Sequence, residues 1–503
     1  MSKNIILLSD GTGNGAAKRN KTNVWRLYDA LDLHRDDQVA FYHDGVGSQE
    51  FLLFKLLGGA FGWGLKRNIR ELYKFLCRNY RSGDRIYLFG FSRGAFGVRM
   101  LAGMIAYCGV YTDYKDEKDL NKAARHNYNA YRSRFKTGLL TRGIRAFMGR
   151  TDPVTPRHLP EIEFIGVWDT VDAYGFPIDE MAVLWDALIY PIHFPDQKLS
   201  DKVRKACHAV SVDDERHTFH PVLWDESGET DPERIEQVWF PGVHSDVGGG
   251  YPMDTLSLVA LDWMIERAGA KTDEAGSPGL HLLQRRREEF EKRCDWRGPQ
   301  HDSRALAGAY YRYRPRDIAA LCDDAKNGVR IHLPKIHRSV LERIAGNAVP
   351  YAPTGLPTRY EVAATRGPAP VYETPEEMDR RMKAMAPVRR VVVQRRLLYF
   401  ALLFTTLGYL ASPVFFGCLG DSGCPSANGP LDPLLRMAMK FLPDLAAPWI
   451  QVLRHSPVTL YGLVLIFGIL FAMKDRAWNQ TQQLATHAWE GLKKPAGNHG
   501  QNF

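Results

Sequence analysis

Six apolar runs of strand length recur in the first half of the chain, each closing in turn chemistry: "NIILLSDG", "QVAFYHDG", "DRIYLFGFS", "IEFIGVWD", "CHAVSVDD" and "EQVWFPGVHSD". Helix-period segments lie between them, such as Gly64 to Tyr80 and Gly94 to Tyr107. A strand with one wet face alternates apolar and polar residues, whereas a strand apolar throughout must be covered on both faces. Continuous apolar strands that alternate with helices therefore predict a doubly wound, mostly parallel α/β sheet, covered on both sides. In such sheets, sites gather at the carboxyl ends of the strands. The polar residues Asp10, Asp44, Ser92, Asp169 and His244 stand at those ends.

One strand end carries a motif. In "IYLFGFSRGAFGVRM", Gly90, Ser92 and Gly94 spell G-x-S-x-G between a strand-forming run and a helix-forming one. That context predicts a nucleophile elbow, a strained turn that lifts one hydroxyl clear of the backbone. The two glycines support the turn, because neighbouring backbones come close there. A serine hydroxyl is a weak nucleophile without a histidine to take its proton and a carboxylate to hold the imidazole. In α/β-hydrolases the chain order is Ser, then Asp or Glu, then His. Asp169, which ends "EFIGVWD", and His244, which opens "HSDVGGGY", follow Ser92 in that order. Asp172 and Asp246 are alternative acids, although Asp246 better suits the shaping of the glycine loop. His208, inside "ACHAVSVDDER", reads as a core histidine, and His43 and Asp44 precede the serine and fit the order poorly.

Ester cleavage also needs donors for the developing oxyanion. The N–H of Arg93, next after the serine, is one. The loop "SDGTGN" after the first strand offers the second from Gly11 or Thr12, with Asp10 supporting that loop. A phosphate-cradling role for the loop is disfavoured, since it lacks the Walker lysine pattern and departs from G-x-G-x-x-G. No Cys/His cluster has zinc spacing, so neither metal nor cofactor is expected. The seven cysteines are scattered and odd in number, as in a reduced intracellular domain, although Cys418 and Cys424 lie close enough to pair. The opening apolar run ends at Asp10 and reads as a strand, not as a secretory signal.

The remaining chain divides by composition. Residues 1–268 read as the catalytic domain, with a basic, tyrosine-bearing insert or cap at about 113–157. Residues 269–390 read as a helical, charged accessory region that includes "LLQRRREEFEKRCDWR". Residues 391–503 read as a membrane region with spans at 397–417 and 457–473, since 21 and 16 consecutive residues there carry no charge. The competing reading of each span is a buried soluble helix. Arg389, Arg390, Arg395 and Arg396 flank the first span, and Lys474, Arg476, Lys493 and Lys494 follow the second. By the positive-inside rule, both termini and the catalytic domain face the cytoplasm. The net charge of +9 suits an anionic lipid surface, and nothing in the motifs suggests nucleic acid.

"LLSDGTGN", "KTNVWRL", "YHDGVG", "LFGFSRGAF", "GVWDTVDAYG", "VDDERHTFHPVLW" and "QVWFPGVHSDVGGGY", in that order, resemble the α/β-hydrolase domain of the type VI secretion phospholipase effectors over roughly Lys3 to Met264. The resemblance implies metal-free hydrolysis of phospholipid acyl esters, with Ser92, Asp169 and His244 at the triad positions. It also implies a phospholipid membrane as partner and an immunity or regulatory protein as a second. Two settings follow: a toxin secreted into a target cell, or a resident bacterial inner-membrane enzyme that acts in defence on its own membrane. The alternatives are a carboxylesterase for other esters and a non-catalytic interaction protein on a hydrolase scaffold. Oligomeric state is not legible in the sequence.

Overall fold

The computed structural model describes residues 2–45, 59–134, 153–154, 157–172, 197–269, 279–346, 350–363, 373–418, 430, 432–441 and 446–492. Eight strands form one sheet: β1 (Asn4–Ser9), β2 (Gln38–His43), β3 (Arg85–Phe91), β4 (Ile162–Trp168), β5 (Val203–Ser211), β6 (Ile235–Phe240), β7 (Lys335–His337) and β8 (Glu361–Ala363). Their order is β8-β7-β6-β5-β4-β3-β1-β2, and every pairing is parallel. Side chains alternate between two apolar layers. Ile5, Leu7, Ile86, Leu88, Ile165 and Val167 enter one. Ile6, Leu8, Tyr87, Phe89, Phe164 and Trp168 enter the other. The strands are apolar throughout because both of their faces are buried.

Helices α2 (Gly59–Asn79), α3 (Arg93–Cys108) and α4 (Glu117–Ser133) supply the first layer. Helices α1 (Asn23–Ala30) and α6 (Thr255–Gly269) supply the second, while the single turn α5 (His244–Gly248) follows β6. The chain leaves β1 for the edge strand β2 and then returns to place β3 on the other side of β1. The order thus reverses between β1 and β3, and the crevice outside their carboxyl ends is the topological switch point at which open α/β sheets bind ligands.

Two expectations change. Residues 269–390 are not a helical appendage, because β7 and β8 from this region extend the main sheet. Each strand has three residues, too few for a periodic signal. The compact unit that holds the sheet comprises Met1–Tyr311, Pro315–Arg381 and Trp489–Phe503, so neither 268 nor 391 is a boundary of compactness. Trp489 belongs to this unit, where its indole N–H donates to the Pro353 carbonyl at 2.9 Å. The run "LLQRRREEFEKRCDWR" does form a solvated helix, α7 (Gln284–Arg293), with Phe290 buried and Arg286 paired to Asp29. Within the insert, α4 packs its apolar face into the first core layer through Leu120, Ala124, Tyr128 and Tyr131; residues 135–152 lie outside the described residues.

The second unit comprises Arg312–Arg314 and Met382–Ala488. Two helices, Pro375–Phe415 and Pro457–Ala488, are long and apolar enough to cross a membrane. A buried soluble helix would hide its apolar residues. Instead Phe404 is 66% exposed, Val414 65%, Val464 62% and Leu465 63%, and none of the most apolar stretch of the second helix is buried. Cys418 is disulfide-bonded, whereas Cys424 lies outside the described residues.

Candidate active site

The β3–α3 turn is strained at one residue. Ser92 has φ 58° and ψ −125°, a conformation that L-residues rarely adopt, and helix α3 begins at the next residue. The turn closes only because its flanking positions lack side chains. A Cβ on Gly94 would lie 2.2 Å from the Ser9 carbonyl oxygen, and one on Gly90 would lie 2.7 Å from Ala95 backbone atoms. The Ser92 N–H donates to the Trp168 carbonyl at 3.0 Å, which ties the elbow to the end of β4.

The next residue after β4 is Asp169, with φ 39°. Its side chain lies at the end of β4, His244 opens α5 after β6, and Ser92 follows β3. The three converge. His244 Nε2 lies 2.8 Å from Ser92 Oγ, and His244 Nδ1 lies 2.5 Å from Asp169 Oδ2. Phe91 and Phe219 flank the imidazole, with ring centroids 4.7 and 5.0 Å away. The His244 N–H donates to Asp214 Oδ2 at 3.2 Å, and Asp214 is itself ion-paired to Arg216.

Burial by itself would raise the Asp169 carboxyl, but the Arg316 guanidinium and the imidazole hold it well below the ordinary carboxylate range. Burial lowers the His244 imidazole, and its contact with Asp169 only partly opposes that. The histidine is therefore neutral and the aspartate charged near neutral pH. Such a pair can accept a proton at Nε2 and stabilise the imidazolium that results.

The competing residues are engaged elsewhere. His208 is wholly buried: its Nε2 accepts from the Thr170 N–H at 3.0 Å, its Nδ1 faces Gln237 Oε1 at 3.3 Å, and burial pushes it down to about 3. Asp246 accepts from the Val243 N–H and faces His301 Nδ1 at 2.6 Å, so it shapes the turn ahead of the glycine loop. His43 Nδ1 faces the Asp44 carbonyl, and Asp44 accepts from the Ala16 N–H. The carboxylate on His244 Nδ1 is Asp169, not Asp172.

The loop after β1 needs one correction. Gly11, expected to offer its N–H to an oxyanion, donates it instead to Asp10 Oδ1 at 2.6 Å. Asp10 is a buried hub that also accepts from the Thr22 and Tyr42 hydroxyls at 2.6 and 2.7 Å; burial raises it to about 6 against those bonds. Gly11 is needed for close approach, since a Cβ there would lie 3.1 Å from Ser92 Cβ and 3.0 Å from Phe91 Cδ1. Thr12 behaves differently: its Oγ1 is buried with no hydrogen-bond partner among the described residues. Arg93 stands at the first position of α3, where helix N–H groups have no intrahelical acceptor.

The description "T6SS, Phospholipase effector Tle1-like, catalytic domain" fits residues 3–267. The chain belongs to this family. The Tle1-like segment thus runs from β1 into α6 and contains Ser92, Asp169 and His244. A yeast relative, "Uncharacterized protein YEL023C" of Saccharomyces cerevisiae, is 32% identical over 242 residues, which is 44% of this chain and 33% of the yeast protein. The chain therefore spans about a third of that relative's length. A crystal structure of an uncharacterized protein from Pseudomonas aeruginosa aligns with 98% of this chain and 64% of its own, at 16% identity and a TM-score of 0.34.

Arg316 and Ser211 were not legible in the sequence as site residues. Arg316 lies beyond the Tle1-like segment, in a stretch without a motif. Ser211 ends β5 and donates its N–H to Asp169 Oδ1 at 2.9 Å. No local pattern marks either one.

Proposed function

We propose that this chain is a membrane-associated serine hydrolase that cleaves phospholipid acyl esters, with Ser92 as nucleophile, His244 as general base and acid, and Asp169 as orienting carboxylate. The observation that carries the reading is the continuous Ser92–His244–Asp169 hydrogen-bond line, at 2.8 and 2.5 Å, on a strained elbow. Membership of a phospholipase effector family supports phospholipid as the substrate class.

His244 Nε2 takes the Ser92 proton as Oγ attacks the acyl carbonyl carbon. The tetrahedral oxyanion is held by the Arg93 N–H and by Thr12, whose buried hydroxyl has no other partner among the described residues. Collapse breaks the ester bond, and the imidazolium returns its proton to the leaving alcohol. Water, deprotonated by the same imidazole, then releases the fatty acid and regenerates Ser92. Asp169 stays charged throughout.

The exposed apolar helices would hold the chain in a membrane, with the catalytic domain on the cytoplasmic side by the charge of their flanks. The test is lipid mass spectrometry of vesicles exposed to the full-length wild type and to Ser92→Ala. Fatty acid and lysophospholipid should appear with the wild type alone. A folded Ser92→Ala protein that releases both at the wild-type rate would refute the serine mechanism.

A further inference from the structure

Arg316 lies 49 residues beyond the end of the Tle1-like segment at 267 and is 1% exposed. Its Nη1 donates to Asp169 Oδ1 at 2.7 Å and to the Ser211 carbonyl at 2.5 Å. Its Nη2 donates to Asp169 Oδ2 at 2.8 Å and to the Phe219 carbonyl. The guanidinium therefore grips both carboxylate oxygens in a fork, while two backbone carbonyls fix the plane of the fork. The loop that carries it is seated by Gly355, where a Cβ would lie 1.9 Å from the Arg316 carbonyl oxygen.

This arrangement answers a question that the three triad side chains leave open. A carboxylate has two oxygens and rotates about Cβ–Cγ. Here both are already held by Arg316, and only one faces the histidine. The remaining bonds come from Ser211, whose N–H meets Oδ1 at 2.9 Å and whose hydroxyl meets Oδ2 at 3.4 Å. The Phe219 carbonyl held by Nη2 belongs to the residue whose ring edges onto His244. One buried side chain thus sets both the angle of the acid and the wall behind the base.

We infer that Arg316 is the positioning residue of the triad, a clamp supplied by the accessory region that fixes Asp169 against His244. The inference rests on the hydrolase reading above. Arg316 reaches neither Ser92 nor the solvent, so it acts on turnover and not on substrate binding. A fork also predicts that lysine substitutes poorly, since an ammonium cannot bind both oxygens in one plane.

The sign of the pH effect follows from the surroundings. The charged and titratable groups about the pair are His244, His208, Asp214 and Arg216. Without Arg316, burial acts on Asp169 unopposed by its main cationic partner, so the carboxylate takes up a proton at higher pH. Where it stays charged, it attracts a proton to His244 more strongly. Both changes move the acid limb of kcat/KM to higher pH.

The test compares full-length wild type, Arg316→Met and Arg316→Lys in mixed micelles, with a soluble ester and a phospholipid as substrates. The expected result is a fall in kcat of about 10–100-fold in R316M, the scale on which loss of the partner that orients a metal-ligating side chain lowers activity. KM should be unchanged and the acid limb displaced upward, with R316K intermediate. Should R316M fail to fold, R316K is judged by the same two readouts. An unshifted acid limb, or an equal loss at every pH with raised KM, would overturn the clamp. S92A run alongside separates the claims. Activity that survives S92A rejects the hydrolase reading, whereas Ser92-dependent activity with an unshifted Arg316 variant rejects the clamp alone.

Discussion

Replacing Asp169 by asparagine changes one oxygen to an NH2 group and alters little in shape, so its effect can be worked out bond by bond. Asp169 Oδ1 accepts from Arg316 Nη1 and the Ser211 N–H, while Oδ2 accepts from Arg316 Nη2 and the Ser211 hydroxyl and faces His244 Nδ1. All of these partners donate, because an ionised carboxylate can only accept. The one remaining oxygen of asparagine is best used at Oδ1, where both partners are N–H groups that can only donate, whereas at the other position the Ser211 hydroxyl can turn to accept. The NH2 then faces His244 Nδ1, which must become an acceptor, and the ring proton moves to Nε2. In that tautomer Nε2 points a hydrogen at Ser92 and cannot take one. The expected loss in kcat is about 10⁴-fold, the scale of the wrong tautomer in a serine triad. That corresponds to roughly 5.4 kcal/mol of lost transition-state stabilisation. Stability should also fall by about 3–5 kcal/mol, because the buried Arg316 guanidinium loses its counter-charge. Turnover must therefore be normalised to folded protein, with thermal melting beside ester hydrolysis, for full-length Asp169→Asn. A folded variant that retains more than about a tenth of wild-type kcat would be incompatible with the tautomer argument.

Three further outcomes are expected. Because burial lowers the His244 imidazole and Asp169 only partly opposes this, the neutral base persists below the ordinary histidine value of about 6.5; kcat/KM measured with a non-ionisable ester should hold through that pH and fall only beneath it, and an acid limb above 7 would contradict the assignment. His208→Gln should keep most of its activity, since His208 serves Thr170 and Gln237 inside the sheet; loss of turnover in a folded H208Q protein would move the base there. Full-length chain should resist alkaline carbonate and need detergent for release, and a single cysteine placed at Ser426 should react with an impermeant maleimide in intact cells while one at Ser2 should not; the reverse labelling would put the sheet on the outer side.

Under the proposed function, a membrane hairpin would suit a lipid hydrolase. The substrate of such an enzyme never leaves the bilayer plane, so the limiting encounter is with the surface and not with a dissolved molecule. Tethering turns each later encounter into an intramolecular one and raises the local substrate concentration with no new contact. The exposed apolar side chains at Phe404, Val414, Val464 and Leu465 would be a liability on a soluble protein and are ordinary against lipid. The cost is specificity. An enzyme held at a membrane has its substrate always in reach, so its control must lie in the catalytic machinery or in a partner that covers it.

What the sequence shows plainly is whatever a short stretch must satisfy by itself. Ser92 was legible because a turn at φ 58° needs Gly90 and Gly94 on either side, and this need is written within five residues. The parallel sheet was legible because strands of six to nine residues, buried on both faces, leave continuous apolar runs. Asp169 and His244 followed from chain order once the serine had been located. The three-residue strands β7 and β8 leave no such trace, since their place is set by the edge that β6 offers. The state of the Gly11 N–H was hidden for a related reason: it is taken by the side chain of the residue before it, and which acceptor wins depends on Thr22 and Tyr42 holding that carboxylate in place. Arg316 is the extreme case. An arginine among many in a charged stretch differs from its neighbours only in where the chain has brought it, 147 residues from Asp169 and with both carboxylate oxygens within 2.8 Å. Local strain makes an elbow visible in sequence, whereas a buried counter-charge is chosen by the tertiary fold and can be found only there.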